Sequence, residues 1–453
     1  MKCANAENPD LTDEFVADGR FQESRRLQVK SHALIPGGSH TYSKGDDQFP
    51  ELAPAFIVRG KGCHAWDVDG NEFIEYGMGL RSVTLGHAYE PVVEAAQRQM
   101  LLGANFTRPA RIEVDFAEEL LSILPNADMV KFAKNGSDVT TAAVKLARAY
   151  TGRDMVAICA EHPFFSVDDW FIGTTENCAG IPRAVQDLTT RFHYNNLESV
   201  RELFANHPGR IACLVLEPAA SEEPQADFLP QLKQLCEANG CLLIFDEMIT
   251  GFRWHLSGAQ TTYGVAPHLF TLGKAMGNGF SIAALAGKRE IMRLGGLDHA
   301  SERVFLLSTT HGAETHSLAA ARETLRVYRR FPVIDHLYRQ GERLIGGVSQ
   351  CIARRRLGEW FGVAGRPCNL IYITKGPDGR RSQHFRTLFL QELIRHGILA
   401  PSFVVSFSHS DEDIDRTIDA VDRSLEVYAK ALEHGVERCL HGRPVKPVNR
   451  RYN

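Results

Sequence analysis

The chain lacks the short signatures of several large function classes. It has ten cysteines, at 3, 63, 159, 178, 213, 236, 241, 351, 368 and 439, and no two stand as Cys-x-x-Cys. A zinc ribbon or dithiol redox pair is therefore not expected, and the thiols read as reduced, with no metal site; a catalytic thiol is the alternative. Eighteen histidines include no His-Glu-x-x-His. No apolar run approaches the ~18 residues of a membrane span. The opening MKCANAENPDLTDE carries no apolar signal stretch, so a cytoplasmic location is expected. Lys and Arg number 51 against 55 Asp and Glu, a net charge of −4, so no general basic field exists for nucleic acid or anionic lipid.

What remains is a large soluble-type composition. The 453 residues are 44% hydrophobic and 23% charged, enough for a sizeable core. Residues 1–35 read as helical and partly exposed, and residues 35–54, IPGGSHTYSKGDDQFPELAP, as a Gly- and Pro-rich loop. Residues 56–76 alternate around Asp69-Gly70 as a β-meander. EPVVEAAQRQMLLG and ARIEVDFAEELLSIL have helical periodicity. From about residue 128 short apolar strands alternate with helices: MVKFAK, DVTTAAVKLARAYTG, MVAICA, LESVRELFANHPG, IACLVLEP, FLPQLKQLCEANG, CLLIFDE. That pattern predicts a mainly parallel sheet covered on both faces, with ligands at the carboxyl ends of strands. A long helix is expected over about 315–350, then a further α+β region.

Glu217, Asp246 and Glu247 all fall at such strand ends. Asp246 is costly to bury unless something pairs with it. Downstream, Lys274 sits in a Gly-flanked turn, LGKAMGNG. A strand-end aspartate followed by such a lysine is what a pyridoxal phosphate site needs. The amine holds the cofactor aldehyde as a Schiff base, and the carboxylate keeps the pyridine nitrogen protonated. Asn135-Gly136-Ser137 stands at the mouth of a helix, where free N–H groups suit a phosphate; an ordinary N-cap at Ser137 or Asp138 is the other reading. Phe164 or Phe165 could stack on a planar ring or simply pack in the core, and Ile249 could press on the ring's other face. GNGF, residues 277–280, lacks nucleotide-loop spacing and context; its glycines would let the backbone bend close to a cofactor.

FDEMITGFR followed by LGKAMGNG resembles the class III pyridoxal phosphate aminotransferases, in the branch of glutamate-1-semialdehyde 2,1-aminomutase. WDVDGNEFIEY, LGHAYEPV, HGILAPS and SHSDEDIDRT extend the likeness from about residue 35 to about 430. The resemblance implies an α/β chain of fold type I, with a mainly parallel seven-stranded sheet and a smaller α+β domain. It places residues 1–75 with the small domain, 76–330 in the large cofactor-binding domain and 331–453 in the small domain. It makes Lys274 and Asp246 catalytic. Gly136, Ser137 and Phe164 join them around pyridoxal 5'-phosphate; on their own positions in the sequence Asn135, Glu217 and Ile249 are added, and no metal is expected. It also implies a homodimer with shared sites, in which Thr310 reaches the neighbouring subunit's phosphate.

The chain departs from the aminomutase pattern at several points. Lys44 stands where that branch has an arginine for substrate carboxylate, and lysine cannot give the planar bidentate grip. SVDDWFIGTTENCAGIP is shorter than the branch's gating loop. VVSF, residues 404–407, lacks a glutamate, and THGAE replaces Asn-Gly-Asn-Pro. The expected activity is amino transfer from a small donor, glutamate, to a small carbonyl acceptor such as a sugar or another biosynthetic aldehyde or ketone. The alternative is intramolecular transfer on a semialdehyde.

Overall fold

The structure, a computed structural model, describes residues 19–452. Part of the helix expected over 1–35 is present as Gln22–Leu34; the remainder of that expectation, up to residue 18, lies outside the described residues. Strands β1 (Ile57–Lys61), β2 (His64–Asp67) and β3 (Glu72–Glu75) come first. Then follow β4 (Met129–Ala133), β5 (Met155–Cys159), β6 (Thr189–Phe192), β7 (Ile211–Leu216), β8 (Leu242–Asp246), β9 (Leu269–Leu272) and β10 (Ala283–Gly287). The last are β11 (Phe361–Ala364), β12 (Ile371–Thr374) and β13 (Ile398–Leu399). Contacts divide the chain into two compact units, with boundaries at 78/79 and 337/338.

One unit joins the chain before Gly79 to Tyr338–Val448. Its sheet has the order β1-β2-β3-β13, antiparallel except for the parallel β3–β13 pair. The expected meander is therefore present. Its second turn is tied by Asp67, whose Oδ1 accepts from the Asp69 and Asn71 amides at 3.0 and 2.7 Å. Phe73 packs with Phe21, Leu52, Leu390, Ile394 and Leu399, burying the apolar face that the alternation marks out. The helix Asp411–His434 opens on a reciprocal cap between Ser410 and Asp413.

The other unit, Gly79–Leu337 with the last residues, holds the seven-stranded sheet, order β4-β10-β9-β8-β7-β5-β6. The pairs β6–β5, β5–β7, β7–β8 and β8–β9 are parallel, and β10 runs against both of its neighbours. Strands β5, β7, β8, β9 and β10 are buried along their whole length, as apolar strands covered on both faces must be. The helix Gly136–Thr151 covers part of the sheet with Val139, Ala142, Ala143, Leu146 and Ala147.

The single helix expected over about 315–350 is instead two, Thr315–Arg330 and Val333–Arg354. Pro332 causes the break, because it has no N–H and disfavours helical geometry at the residue before it. Phe331 is accordingly extended, at φ −125° and ψ 148°. No helix among the described residues is long and apolar enough to cross a membrane.

A turn after β9 is anchored by Asn278, which is buried with a left-handed φ of 43°. Its Oδ1 accepts from the Thr84 and Leu85 amides at 3.0 and 2.9 Å, and its Nδ2 donates to the Gly86 carbonyl at 3.1 Å. Asparagine tolerates this backbone better than most residues and fills three backbone hydrogen bonds at once. Replacing Asn278 by Ala should leave buried peptide groups unpaired and cost about 3 kcal/mol. Calorimetry should show a clearly lowered unfolding midpoint; a midpoint equal to wild type would mean that the clamp contributes little.

Candidate active site

Three adjacent parallel strands end side by side. β7 runs into Glu217, β8 ends at Asp246 and β9 contains Thr271. The register pairs Leu216 with Phe245 and Asp246 with Thr271, so the polar residues form a row at the carboxyl edge of an otherwise apolar sheet. This is where open parallel sheets bind ligands.

Asp246 is 5% exposed. Its Oδ1 accepts from Thr271 Oγ1 and from the Met248 amide, each at 3.0 Å. Both bonds fall on one oxygen, which leaves Oδ2 to a ligand. Burial raises the Asp246 pKa, opposed by the positive charge of Lys274 and by these two donors. Glu217 is pushed up to about 7 by burial, with the charge of Asp246 adding to it. Its amide donates to Nδ1 of His162 at 3.0 Å, and burial lowers that imidazole to about 4. A neutral imidazole thereby fixes the end of β7.

Lys274 follows β9 with a left-handed φ of 43°, at the head of the short turn Lys274–Gly277. Burial lowers its pKa, Asp246 and Glu217 oppose this, and Arg81 and Arg253 reinforce it. An amine held toward its free-base form is the kind that attacks a carbonyl.

Glu247, beside Asp246, has a different task. It is fully buried and accepts from the Ala259 and Gln260 amides at 2.7 and 2.8 Å and from Thr250 Oγ1. Burial pushes its carboxyl up to about 7. The two neighbouring strand-end acids thus separate: Glu247 ties down a backbone turn, and Asp246 keeps an oxygen available.

The helix Gly136–Thr151 is capped by Asn135, not by Ser137 or Asp138 as the alternative reading of the sequence had it. Asn135 Oδ1 accepts from the Asp138 amide at 3.2 Å, and Asp138 Oδ2 accepts from the Asn135 amide at 3.3 Å. The cap satisfies the third N–H of the helix and leaves those of Gly136 and Ser137 for an anion. Ser137 is buried, and its Oγ accepts from the Val167 amide at 3.1 Å. It still has a hydroxyl hydrogen to donate.

Met248 joins these parts. A Cβ at Gly136 would lie 3.0 Å from Met248 Cε, and a Cβ at Gly273 would lie 2.2 Å from the same atom. The thioether therefore fills the space between the helix mouth and the lysine turn, and a Cβ at Gly273, and less so at Gly136, would force its methyl end to move.

The aromatic pair divides. Phe165 is 2% exposed and belongs to the core, edge-on to Phe171 at 5.5 Å. Phe164 is 51% exposed and edge-on to Phe171 at 5.7 Å. Of the two, Phe164 has a face to offer. Ile249 is half-buried beside Met248. Thr310 is exposed, and its carbonyl accepts from Asn105 Nδ2 at 2.9 Å. No hydrogen bond among the described residues joins it to the rest of the site. In the THGAE loop, Glu314 is bonded to Lys134 and to His311 Nδ1.

Thr271, His162, Met248 and Arg81 were not singled out from the sequence. Thr271 left a signal, a lone polar side chain in the apolar stretch LFTL. The others depend on contacts that sequence spacing does not encode.

The set fits pyridoxal phosphate: a buried carboxylate with one free oxygen, a lysine lowered by burial, and a helix mouth without a Cβ at its first residue. Comparison with known proteins agrees. Residues 46–359 match the family model for class-III aminotransferases. Glutamate-1-semialdehyde 2,1-aminomutase of Francisella tularensis subsp. tularensis is 31% identical over 419 residues, covering 87% of this chain and 96% of that protein. The protein of the same name from Archaeoglobus fulgidus is 30% identical over 436 residues, covering 90% and 100%. Among solved structures, the PLP internal aldimine form of the FumI protein of Sphingopyxis sp. MTA144 superposes with a TM-score of 0.84 at 26% identity, covering 91% of this chain and 98% of that one. A glutamate-1-semialdehyde aminomutase from Pseudomonas aeruginosa PAO1, 20% identical with a TM-score of 0.79 and covering 92% and 97%, shares the fold. The architecture is that of the fold type I transaminases, and the chain is a pyridoxal phosphate-dependent enzyme belonging to the class-III aminotransferases.

Proposed function

We propose that the enzyme transfers an amino group from an external donor, glutamate, to a small carbonyl acceptor in two separate half-reactions. The observation that carries this reading is the row of Glu217, Asp246 and Thr271 beside Lys274. Pyridoxal phosphate, when bound, supplies an aldehyde and an electron-withdrawing ring. The amides of Gly136 and Ser137 would hold its phosphate, with the Ser137 hydroxyl adding a donor. Asp246 Oδ2 would hold the proton on the ring nitrogen, while Thr271 and the Met248 amide keep the carboxylate in place. A positive partner there would offset the burial that raises the Asp246 pKa. Phe164 and Ile249 would lie against opposite faces of the ring. Lys274 Nζ, lowered by burial, would take the proton from the donor's reacting carbon and return it to the cofactor side.

Lys274→Ala should bind the cofactor but lose turnover, and borohydride reduction of the wild-type enzyme followed by peptide mapping should put the adduct on Lys274. Asp246→Asn should keep most of the cofactor and lose activity by roughly 10²- to 10⁴-fold, the scale of about 3–5 kcal/mol for removing one member of a buried charge pair. An adduct on another lysine, or near-wild-type single-turnover rates in Asp246→Asn, would assign these roles elsewhere.

The enzyme is proposed to be a homodimer in which Thr310 serves the partner's site, a reading supported by its exposure in the single chain. Light scattering should give twice the chain mass, and Thr310→Ala should weaken cofactor retention. An active monomer contradicts this.

The names of the curated relatives favour a second reading, intramolecular amino transfer on glutamate-1-semialdehyde. A mutase must retain its intermediate between half-reactions, which asks for a closed site. Lys44 in place of arginine, the short loop after Phe165 and the absent glutamate in VVSF argue for release instead. The pyridoxamine form incubated with glutamate-1-semialdehyde alone should yield little 5-aminolevulinate, whereas added glutamate and an acceptor aldehyde or ketone should sustain turnover. Sustained isomerisation without a donor would restore the mutase.

A further inference from the structure

The turn between β1 and β2 ends at Cys63 and β2 opens with His64, and the fold brings the pair to Asp413, 350 positions beyond Cys63. Cys63 Sγ lies 3.3 Å from Asp413 Oδ2, and His64 Nε2 lies 3.0 Å from Asp413 Oδ1. The three donor atoms are all within 4.8 Å of one another. All three residues belong to the unit that does not contain Lys274.

We propose that Cys63, His64 and Asp413 form a binding site for a divalent cation of the zinc class. The donor set is one thiolate, one imidazole and one carboxylate, which borderline-soft divalent ions accept in tetrahedral sites. Zinc bonds to such ligands place the donor atoms ~3.4–3.6 Å apart in a tetrahedron. The two measured contacts fall on different carboxylate oxygens, and one donor atom of each residue already lies within 4.8 Å of the other two, so side-chain adjustments of Cys63, His64 and Asp413 would bring the set to those separations. The second ring nitrogen supports the assignment. His64 Nδ1 lies 2.8 Å from Glu72 Oε1, the carboxylate–imidazole arrangement that orients a metal-binding histidine and raises its basicity. Glu72 is cross-strand from Trp66 on β3, so the sheet register itself positions it. Trp66 stacks under His64 with ring centroids 6.2 Å apart, and Arg59 covers Trp66 at 4.4 Å. Asp413 is fixed independently, because its Oδ2 also accepts from the Ser410 amide and hydroxyl at 2.9 and 2.7 Å. Cys63 is buried and His64 is half-buried.

Binding replaces the thiol proton of Cys63 with the metal and releases that proton to solvent; no electron changes hands. The ion would link the meander to the first turn of the helix Asp411–His434. Spacing along the chain does not announce this site, since the Cys-His pair alone has no metal-ligand spacing and its third ligand lies near the other end of the chain.

The test uses the cofactor-loaded enzyme, stripped of adventitious metal with a chelator and titrated with cobalt(II). About one equivalent per chain should bind with intense visible bands of tetrahedral geometry and thiolate-to-cobalt charge transfer. Cys63→Ser should abolish the charge-transfer band, and His64→Ala should abolish the tetrahedral bands. Glu72→Gln should weaken affinity by roughly 10- to 100-fold. Retained cofactor absorbance in each variant shows that the fold survives. Absence of the bands in the wild-type enzyme overturns the proposal. So do bands that persist unchanged in Cys63→Ser or in His64→Ala, either variant sufficing should the other fail to fold.

Discussion

A carboxylate at the end of a buried central strand must be paired, hydrogen-bonded or neutral, and most of the site follows from how the chain meets that demand three times over. At Glu247 two backbone amides and a threonine hydroxyl surround the acid, and it becomes part of the scaffold. At Glu217 burial raises the pKa to about 7, with the charge of Asp246 adding to it, so the acid takes a proton far more readily than a free carboxyl does. At Asp246 two donors hold one oxygen and the other is left over. An acid left half-satisfied in the interior is a cost to the folded chain that a cationic ligand relieves. The same alignment of β7, β8 and β9 that brings the acids together also brings Lys274 among them. Their fields partly offset the effect of burial on its amine.

Much of the architecture was legible because period and composition agree. The short apolar strands after residue 128 have no polar face to spare, so a parallel sheet clad in helices was the available solution. The meander announced itself by alternation around Asp69-Gly70. The helix over 315–350 misled because apolar periodicity continues through Phe331-Pro332, and only the proline's missing N–H and its steric effect on Phe331 interrupt it. Asp246 and Lys274 stood out because each is expensive where it sits: one charge at the end of an apolar strand and one lysine in a glycine-flanked turn.

Less of the surrounding shell could be read. At the helix mouth the alternative reading of an ordinary cap points to Ser137 or Asp138 while the structure uses Asn135, since Asn, Ser and Asp all make good caps and three such residues stand within four positions. The two phenylalanines could not be separated in advance, because adjacent residues leaving a strand face opposite ways and sequence does not say which way is inward. Structure sends Phe165 into the core and leaves Phe164 outside. In GNGF the glycines are the conspicuous residues, although it is Asn278 that makes the three bonds holding the turn.

The thioether of Met248 touches the places where Gly136 and Gly273 have no side chain. These three positions are far apart in the chain yet share one small volume. A methyl group added at either glycine is tolerable only if residue 248 becomes smaller or turns away, and a bulkier residue at 248 meets backbone on two sides. Their substitution effects must therefore be non-additive. Change at either glycine is felt at position 248, and change at 248 is felt at both glycines.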